Sequence, residues 1–66
     1  MKRRIFYVPQ DKIKGFVQIV DINKLDTRLK GLNEKHEIRI EVIYEKQERA
    51  AMFDLVEFAE GTEEDD

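Results

Sequence analysis

The sequence predicts a small α+β domain with a mainly antiparallel, four-stranded sheet. Three observations point to this class: short runs rich in β-branched and aromatic residues, one run in which apolar residues recur every three or four positions, and one run in which they alternate. The predicted element order is β-β-α-β-β-α, with one main helix on one face of the sheet and a short C-terminal helix.

Two apolar runs near the N-terminus are interpreted as the first two strands. Arg3 to Val8 is rich in Ile, Phe, Tyr and Val and stops at Pro9, which has no N–H to donate to a ladder. The segment PQDKIK that follows is read as a loop. Gly15 to Val20, GFVQIV, is then predicted to be the second strand because Val, Ile and Phe favour extended backbone.

The main helix is predicted to follow Val20. Apolar residues recur there at steps of three and four, at Ile22, Leu25, Leu29 and Leu32. Asp21 is the expected N-cap, and Gly31 is expected to supply the left-handed residue that ends the helix.

The third strand is predicted within EIRIEVIYE, because apolar residues alternate with charged ones at Ile38, Ile40, Val42 and Tyr44. The following KQER is interpreted as a hairpin link to a fourth strand at Arg49 to Phe53, although it lacks the usual turn residues.

The C-terminal stretch FDLVEFAEG predicts a short helix from Leu55 to Glu60. Asp54 and Glu57 have the spacing of a capping box, and Gly61 is placed to stop the helix. The alternative is one continuous helix from about Gln47 to Glu60, favoured by the Ala, Met, Leu and Glu content. A single domain is expected over residues 1–61, with residues 62–66, TEEDD, as an acidic disordered tail.

Length and composition bound the class of protein. A chain of 66 residues forms one domain at most, and a domain of that size buries only about 60% of its unfolded surface. The absence of cysteine removes disulfides and favours a reducing, cytoplasmic setting. The apolar run after the basic N-terminus is too short for a secretory or membrane-spanning segment, so a soluble protein is expected.

The sequence argues against an enzyme. It contains no Ser and no Cys, its three glycines do not form a phosphate-binding loop, and its one histidine, His36, is expected to be a solvated loop residue. We therefore expect no catalytic, cofactor-binding or metal-binding residues, and no small-molecule substrate.

A protein-interaction or oligomerisation module is the predicted function. Apolar residues occur on both faces of the predicted strands, whereas the main helix covers one face only, so a homodimer or a protein partner is expected to cover the other. The predicted interface residues are Phe16, Val20, Ile43, Met52 and Phe53.

The alternative function is nucleic-acid binding through a basic N-terminal half. Residues 1–36 hold nine Lys and Arg against four Asp and Glu, while residues 37–66 hold three against eleven. The predicted contacts with phosphates are Lys2, Arg3, Arg4, Lys24 and Arg28, the last two one turn apart on the main helix. A third possibility is that the acidic half imitates nucleic acid.

Overall fold

The computed structural model describes residues 2–64, in which four strands and two α-helices follow the order β-α-β-β-α-β. The elements are β1 (Lys2–Val8), α1 (Ile13–Asn23), β2 (Asp26–Leu32), β3 (Ile38–Tyr44), α2 (Arg49–Val56) and β4 (Gly61–Glu64). The prediction of an α+β domain with a four-stranded antiparallel sheet is confirmed. The predicted order of the elements is wrong, because the second and third elements exchange their types, and so do the fifth and sixth.

The strands lie in the order β2-β3-β1-β4, and each neighbouring pair is antiparallel. Each helix joins two strands that are not neighbours: α1 leads from β1 to β2 past β3, and α2 leads from β3 to β4 past β1. This connectivity is the split βαβ, or ferredoxin-like, arrangement.

Both helices pack on the same face of the sheet and form one core with it. Phe6 of β1 meets Phe16 of α1 edge to face, with ring centroids 5.3 Å apart. The remaining buried apolar residues are Val8, Leu25, Ile40, Val42, Tyr44, Ala51, Met52 and Leu55.

Helix α1 replaces the predicted second strand. Its core-facing residues, Ile13, Phe16, Ile19 and Val20, recur at steps of three and four that begin inside the segment interpreted as a loop. The helix ends at Asn23, where Lys24 takes the left-handed conformation (φ 53°) and the N–H of Leu25 donates to the Val20 carbonyl at 3.0 Å. Asp21 therefore lies within the helix, and Gly31 does not end it.

Strand β2 occupies the position of the predicted main helix. The apolar spacing there does not form a buried stripe: Leu25 is buried, but Ile22, Leu29 and Leu32 are 77%, 75% and 56% exposed. Pairing with β3 along its whole length outweighs the local helical period. The pairing shifts between Leu29 and Gly31, so that Lys30 has no residue opposite it, and the φ of 106° at Gly31 suits this bulge.

The turn between β2 and β3 is organised by Asn33. Its Oδ1 accepts hydrogen bonds from the backbone N–H groups of Lys35 and Glu37, at 3.0 and 2.9 Å, and its Nδ2 donates to Glu37 Oε1 at 2.8 Å. These bonds hold His36, which is exposed, in a left-handed conformation with φ 62°.

The C-terminal part also differs from its prediction. A 3-10 turn, Lys46–Glu48, leads directly into α2, so the hairpin and the strand at Arg49 to Phe53 are wrong and the continuous-helix alternative is nearer. A capping box forms at Glu45 and Glu48 rather than at Asp54 and Glu57: Glu48 Oε1 accepts from the Glu45 N–H at 2.9 Å.

The last strand corrects the prediction of a disordered tail. Gly61 begins β4 instead of stopping a helix, and β4 pairs with β1 from Tyr7↔Gly61 to Arg4↔Glu64. The acidic residues up to Glu64 are therefore part of the sheet, while residues 65 and 66 lie outside the described residues. Neither helix in residues 2–64 is long and apolar enough to cross a membrane.

Candidate association surface

The sheet face turned away from both helices, called the open face below, is the candidate site. Successive residues of a strand point to opposite faces and directly opposed residues share one, so the register assigns its members. They form three rows across the strands: Asp26, Ile43 and Arg3; then Arg28, Glu41, Ile5 and Glu63; then Gly31, Arg39, Tyr7 and Gly61.

The middle of the open face is partly apolar. Ile5, Tyr7 and Ile43 are half-buried, although no helix of residues 2–64 packs over them. Around them lie three arginines and three acidic residues, which are Arg3, Arg28, Arg39, Asp26, Glu41 and Glu63. The face is therefore amphipathic, with balanced charge.

Glu41 is the most unusual residue of the open face. It is only 3% exposed, and its Oε1 atom is buried without a hydrogen-bond partner. By register it lies between Ile5 of β1 and Arg28 of β2, with Arg39 and Ile43 two positions away along its own strand. A carboxylate oxygen that is enclosed without a donor costs free energy, so we expect Glu41 to lower the stability of the single chain.

Tyr7 and Glu63 form a cross-strand contact on the same face. The Tyr7 hydroxyl donates to Glu63 Oε2 at 2.8 Å. This hydrogen bond, helped by desolvation and by the charge of Glu63, raises the pKa of Tyr7 from its ordinary value of 10.0, while the charge of Arg39 acts in the opposite direction. The contact therefore favours the protonated phenol, which is the form that donates to Glu63.

A shallow groove of about 890 Å³ continues the open face toward the β2–β3 turn. Its lining residues are Tyr7, Leu32, Asn33, Glu34, Lys35, Glu37, Arg39, Glu60 and Gly61. The backbone N–H of Glu60 donates to the Tyr7 carbonyl at 2.8 Å, which fixes the start of β4 beside this groove.

The structure separates the predicted interface residues. Phe16 and Met52 are buried in the core and Val20 is half-buried against it, so these side chains serve the chain's own packing. Ile43 is half-buried on the open face, and Phe53 is 69% exposed on α2, away from that face. Ile43 is the member of the set that lies at the candidate site.

The predicted basic residues do not form one patch. Arg3 and Arg28 lie on the open face, while Lys24 lies in the turn after α1, so Lys24 and Arg28 are not one turn apart on a helix as predicted. Lys2 and Arg4 lie at a separate groove of about 200 Å³ on the helix side, which is completed by Tyr44, Arg49, Met52 and Phe53.

Sequence reasoning missed Tyr7, Arg39, Glu41 and Glu63 as members of one surface. Alternation within β1 and β3 carries a signal for the first three, because Tyr7, Arg39 and Glu41 lie out of phase with the core residues of their strands. No local signal places Glu63 beside Tyr7, since that contact depends on the order of the strands.

Residues 2–64 contain no group of three or more His, Asp or Glu positioned to hold a metal ion. Comparison with protein-family models, with curated proteins and with solved structures finds no significant match to this chain. The open face is therefore the feature of this fold that bears on function.

Proposed function

We propose that the protein is a non-enzymatic association module that forms a homodimer by packing the open faces of two copies together. The observation that carries the proposal is the one-sided sheet: both helices cover one face, while the other exposes part of Ile5, Tyr7 and Ile43. A second copy would remove this surface from water. The absence of cysteine favours the cytoplasm as the place where it acts.

The size of the open face indicates a weak dimer. Three strands of seven residues and one of four, about 4.8 Å apart and at about 3.3 Å per residue, give a flat area of roughly 400 Å². A standard stable interface buries about 800 Å² on each partner. We therefore expect an equilibrium between monomer and dimer that depends on protein concentration.

The test replaces Ile43 with lysine. Ile43→Lys places a charge at the apolar part of the face, so we expect a folded monomer at concentrations where the unmodified chain forms a species near twice 7.9 kDa. Light scattering over a dilution series measures the mass, and circular dichroism checks the fold.

Ile22→Lys is the matched control. Ile22 is 77% exposed at the end of α1, so the same substitution there should leave the dimer unchanged. A strictly monomeric unmodified chain at millimolar concentration would refute the proposal. An unchanged dimer in Ile43→Lys would remove Ile43 from the interface.

Nucleic-acid binding is a second candidate, favoured by one observation. Arg3, Arg28 and Arg39 lie on the same face as Tyr7, and guanidinium groups beside an aromatic ring suit a single strand. The interspersed Asp26, Glu41 and Glu63 oppose it. The same dilution series with short DNA and RNA at low salt distinguishes the two functions, because salt-sensitive complexes of a monomer would favour this second one.

A further inference from the structure

We infer that the two-fold axis of this homodimer runs parallel to the strands, between β1 and β3, and that Arg28 of each copy pairs with Glu63 of the other. This inference rests on the proposed function and adds the orientation and the specific charged contacts of the interface. It follows from the positions of the charges on the open face.

The middle row of the face shows why. From β2 to β4 it reads Arg28, Glu41, Ile5, Glu63, so a cation stands at one edge and an anion at the other. An axis parallel to the strands exchanges β1 with β3 and β2 with β4. Each Arg28 then faces a Glu63, and the contact occurs twice because the interface is isologous.

The competing symmetric arrangement places like charges together. An axis that runs across the strands along the middle row keeps every strand above its own copy. Arg28 would then face Arg28, Glu41 would face Glu41, and Glu63 would face Glu63. Like charges opposed in a partly desolvated interface are strongly unfavourable. Of these two aligned arrangements, the charge pattern therefore favours the axis parallel to the strands.

The third row supports the same choice. The strand-parallel axis brings Arg39 of one copy over the ring of Tyr7 of the other, and a guanidinium above a tyrosine ring is an attractive contact. Packed sheets are rotated by about 30°, which shifts facing residues at the edges by only a few ångströms, within reach of a long arginine side chain.

The experiment is a charge swap measured by sedimentation equilibrium. Arg28→Glu and Glu63→Arg should each weaken the dimer about tenfold or more, since each breaks both copies of the pair. The double variant Arg28→Glu/Glu63→Arg restores the opposite charges, and its dissociation constant should return to within about threefold of the original. Both side chains are exposed in the single chain, so the fold should tolerate these changes.

Two controls isolate the charged pair. Lys24→Glu makes the same reversal of charge in the turn after α1 and should leave the dimer unchanged. Tyr7→Phe removes the hydrogen bond to Glu63 without changing its charge. The Tyr7→Phe variant therefore distinguishes loss of that hydrogen bond from loss of the Arg28–Glu63 pair. It should weaken the dimer less than Glu63→Arg does.

The outcomes separate the inference from the proposed function. The inferred pairing is overturned if the single variants weaken the dimer and the double variant does not rescue it, or if none of the variants affects the dimer. The proposed association stands in both cases. A chain that never dimerises overturns both. Oligonucleotide binding by a monomer, lost in Arg28→Glu and strengthened in Glu63→Arg, also overturns both and assigns the open face to nucleic acid.

Discussion

Glu41 shows how a single residue can oppose the stability of its strand. Its neighbours enclose it to 3% exposure, and its Oε1 atom receives no hydrogen bond. The alternation of β3 alone predicts an outward, solvated glutamate at this position, because burial by side chains of other strands is not visible in one strand's sequence.

We expect Glu41→Val to stabilise the monomer. The change removes an enclosed carboxylate and introduces a residue that favours strands, so the free energy of unfolding should rise by roughly 1–3 kcal/mol. Urea denaturation at low protein concentration, where the monomer dominates, measures it. Glu34→Val in the exposed β2–β3 turn is the control and should change stability by no more than about 0.5 kcal/mol. A loss of stability in Glu41→Val would show that the carboxylate is satisfied in solution.

The phenol of Tyr7 should titrate above pH 10.0, because the hydrogen bond to Glu63 raises its pKa. A group whose pKa is raised by folding stabilises the fold fully below its unfolded pKa, and this contribution is lost as pH rises through the folded pKa. The loss from Tyr7 therefore falls in the alkaline range above pH 10.0.

Glu63→Ala tests the cause of this shift. Removing the acceptor should return the titration midpoint of Tyr7 toward its ordinary value. Tyrosine ring-carbon chemical shifts, assigned with a Tyr44→Phe variant, follow the titration. An unchanged midpoint would show that Glu63 does not control the phenol.

At the scale of elements, the two strands that form the centre of the sheet are correctly predicted, and the elements between them are not. β1 and β3 carry dense β-branched residues or clear alternation, and both are central strands. In α1, by contrast, β-branched residues recur at helical spacing. This spacing prevails over their intrinsic preference for strands, because it places the apolar face of α1 against Phe6 in the core. The conformation of β2 is determined by pairing with β3, and the local spacing of apolar residues does not reveal that pairing.

Gly15 fixes how closely α1 approaches the segment after α2. A Cβ atom there would overlap the ring of Phe58, so the two elements contact through the bare backbone of the glycine. We expect Gly15→Ala to lower the free energy of unfolding. Overpacking costs about 1–3 kcal/mol, whereas the gain in helix propensity is only about 1 kcal/mol.

The double variant Gly15→Ala/Phe58→Leu tests this contact. Shortening the ring should relieve the overlap, so the double variant should lose less stability in urea than the two single losses added together. Additive losses, or a Gly15→Ala variant more stable than the original chain, would show that the ring moves away at little cost.

For the whole molecule, the strand order removes the charge segregation seen along the chain. The basic β1 lies between β3 and β4, which come from the acidic half. Cations and anions are consequently interspersed on the open face instead of forming separate basic and acidic regions. A continuous phosphate-binding surface and an acidic imitation of nucleic acid both lose support, whereas a self-complementary face gains it. Composition could not predict the mixing of charges on this face, because the mixing depends on the order of the strands.

The bulge in β2 has a consequence for colloidal behaviour. β2 is the outermost strand at one side of the sheet, and Leu29 and Leu32 are exposed along it. A long, regular and partly apolar edge strand can pair with the edge strand of another chain, which leads to fibril growth. The unopposed Lys30 interrupts the regular hydrogen-bonding repeat at mid-strand and adds a charge there. An edge interrupted in this way is a poorer template for polymerisation, which agrees with the finite dimer proposed above.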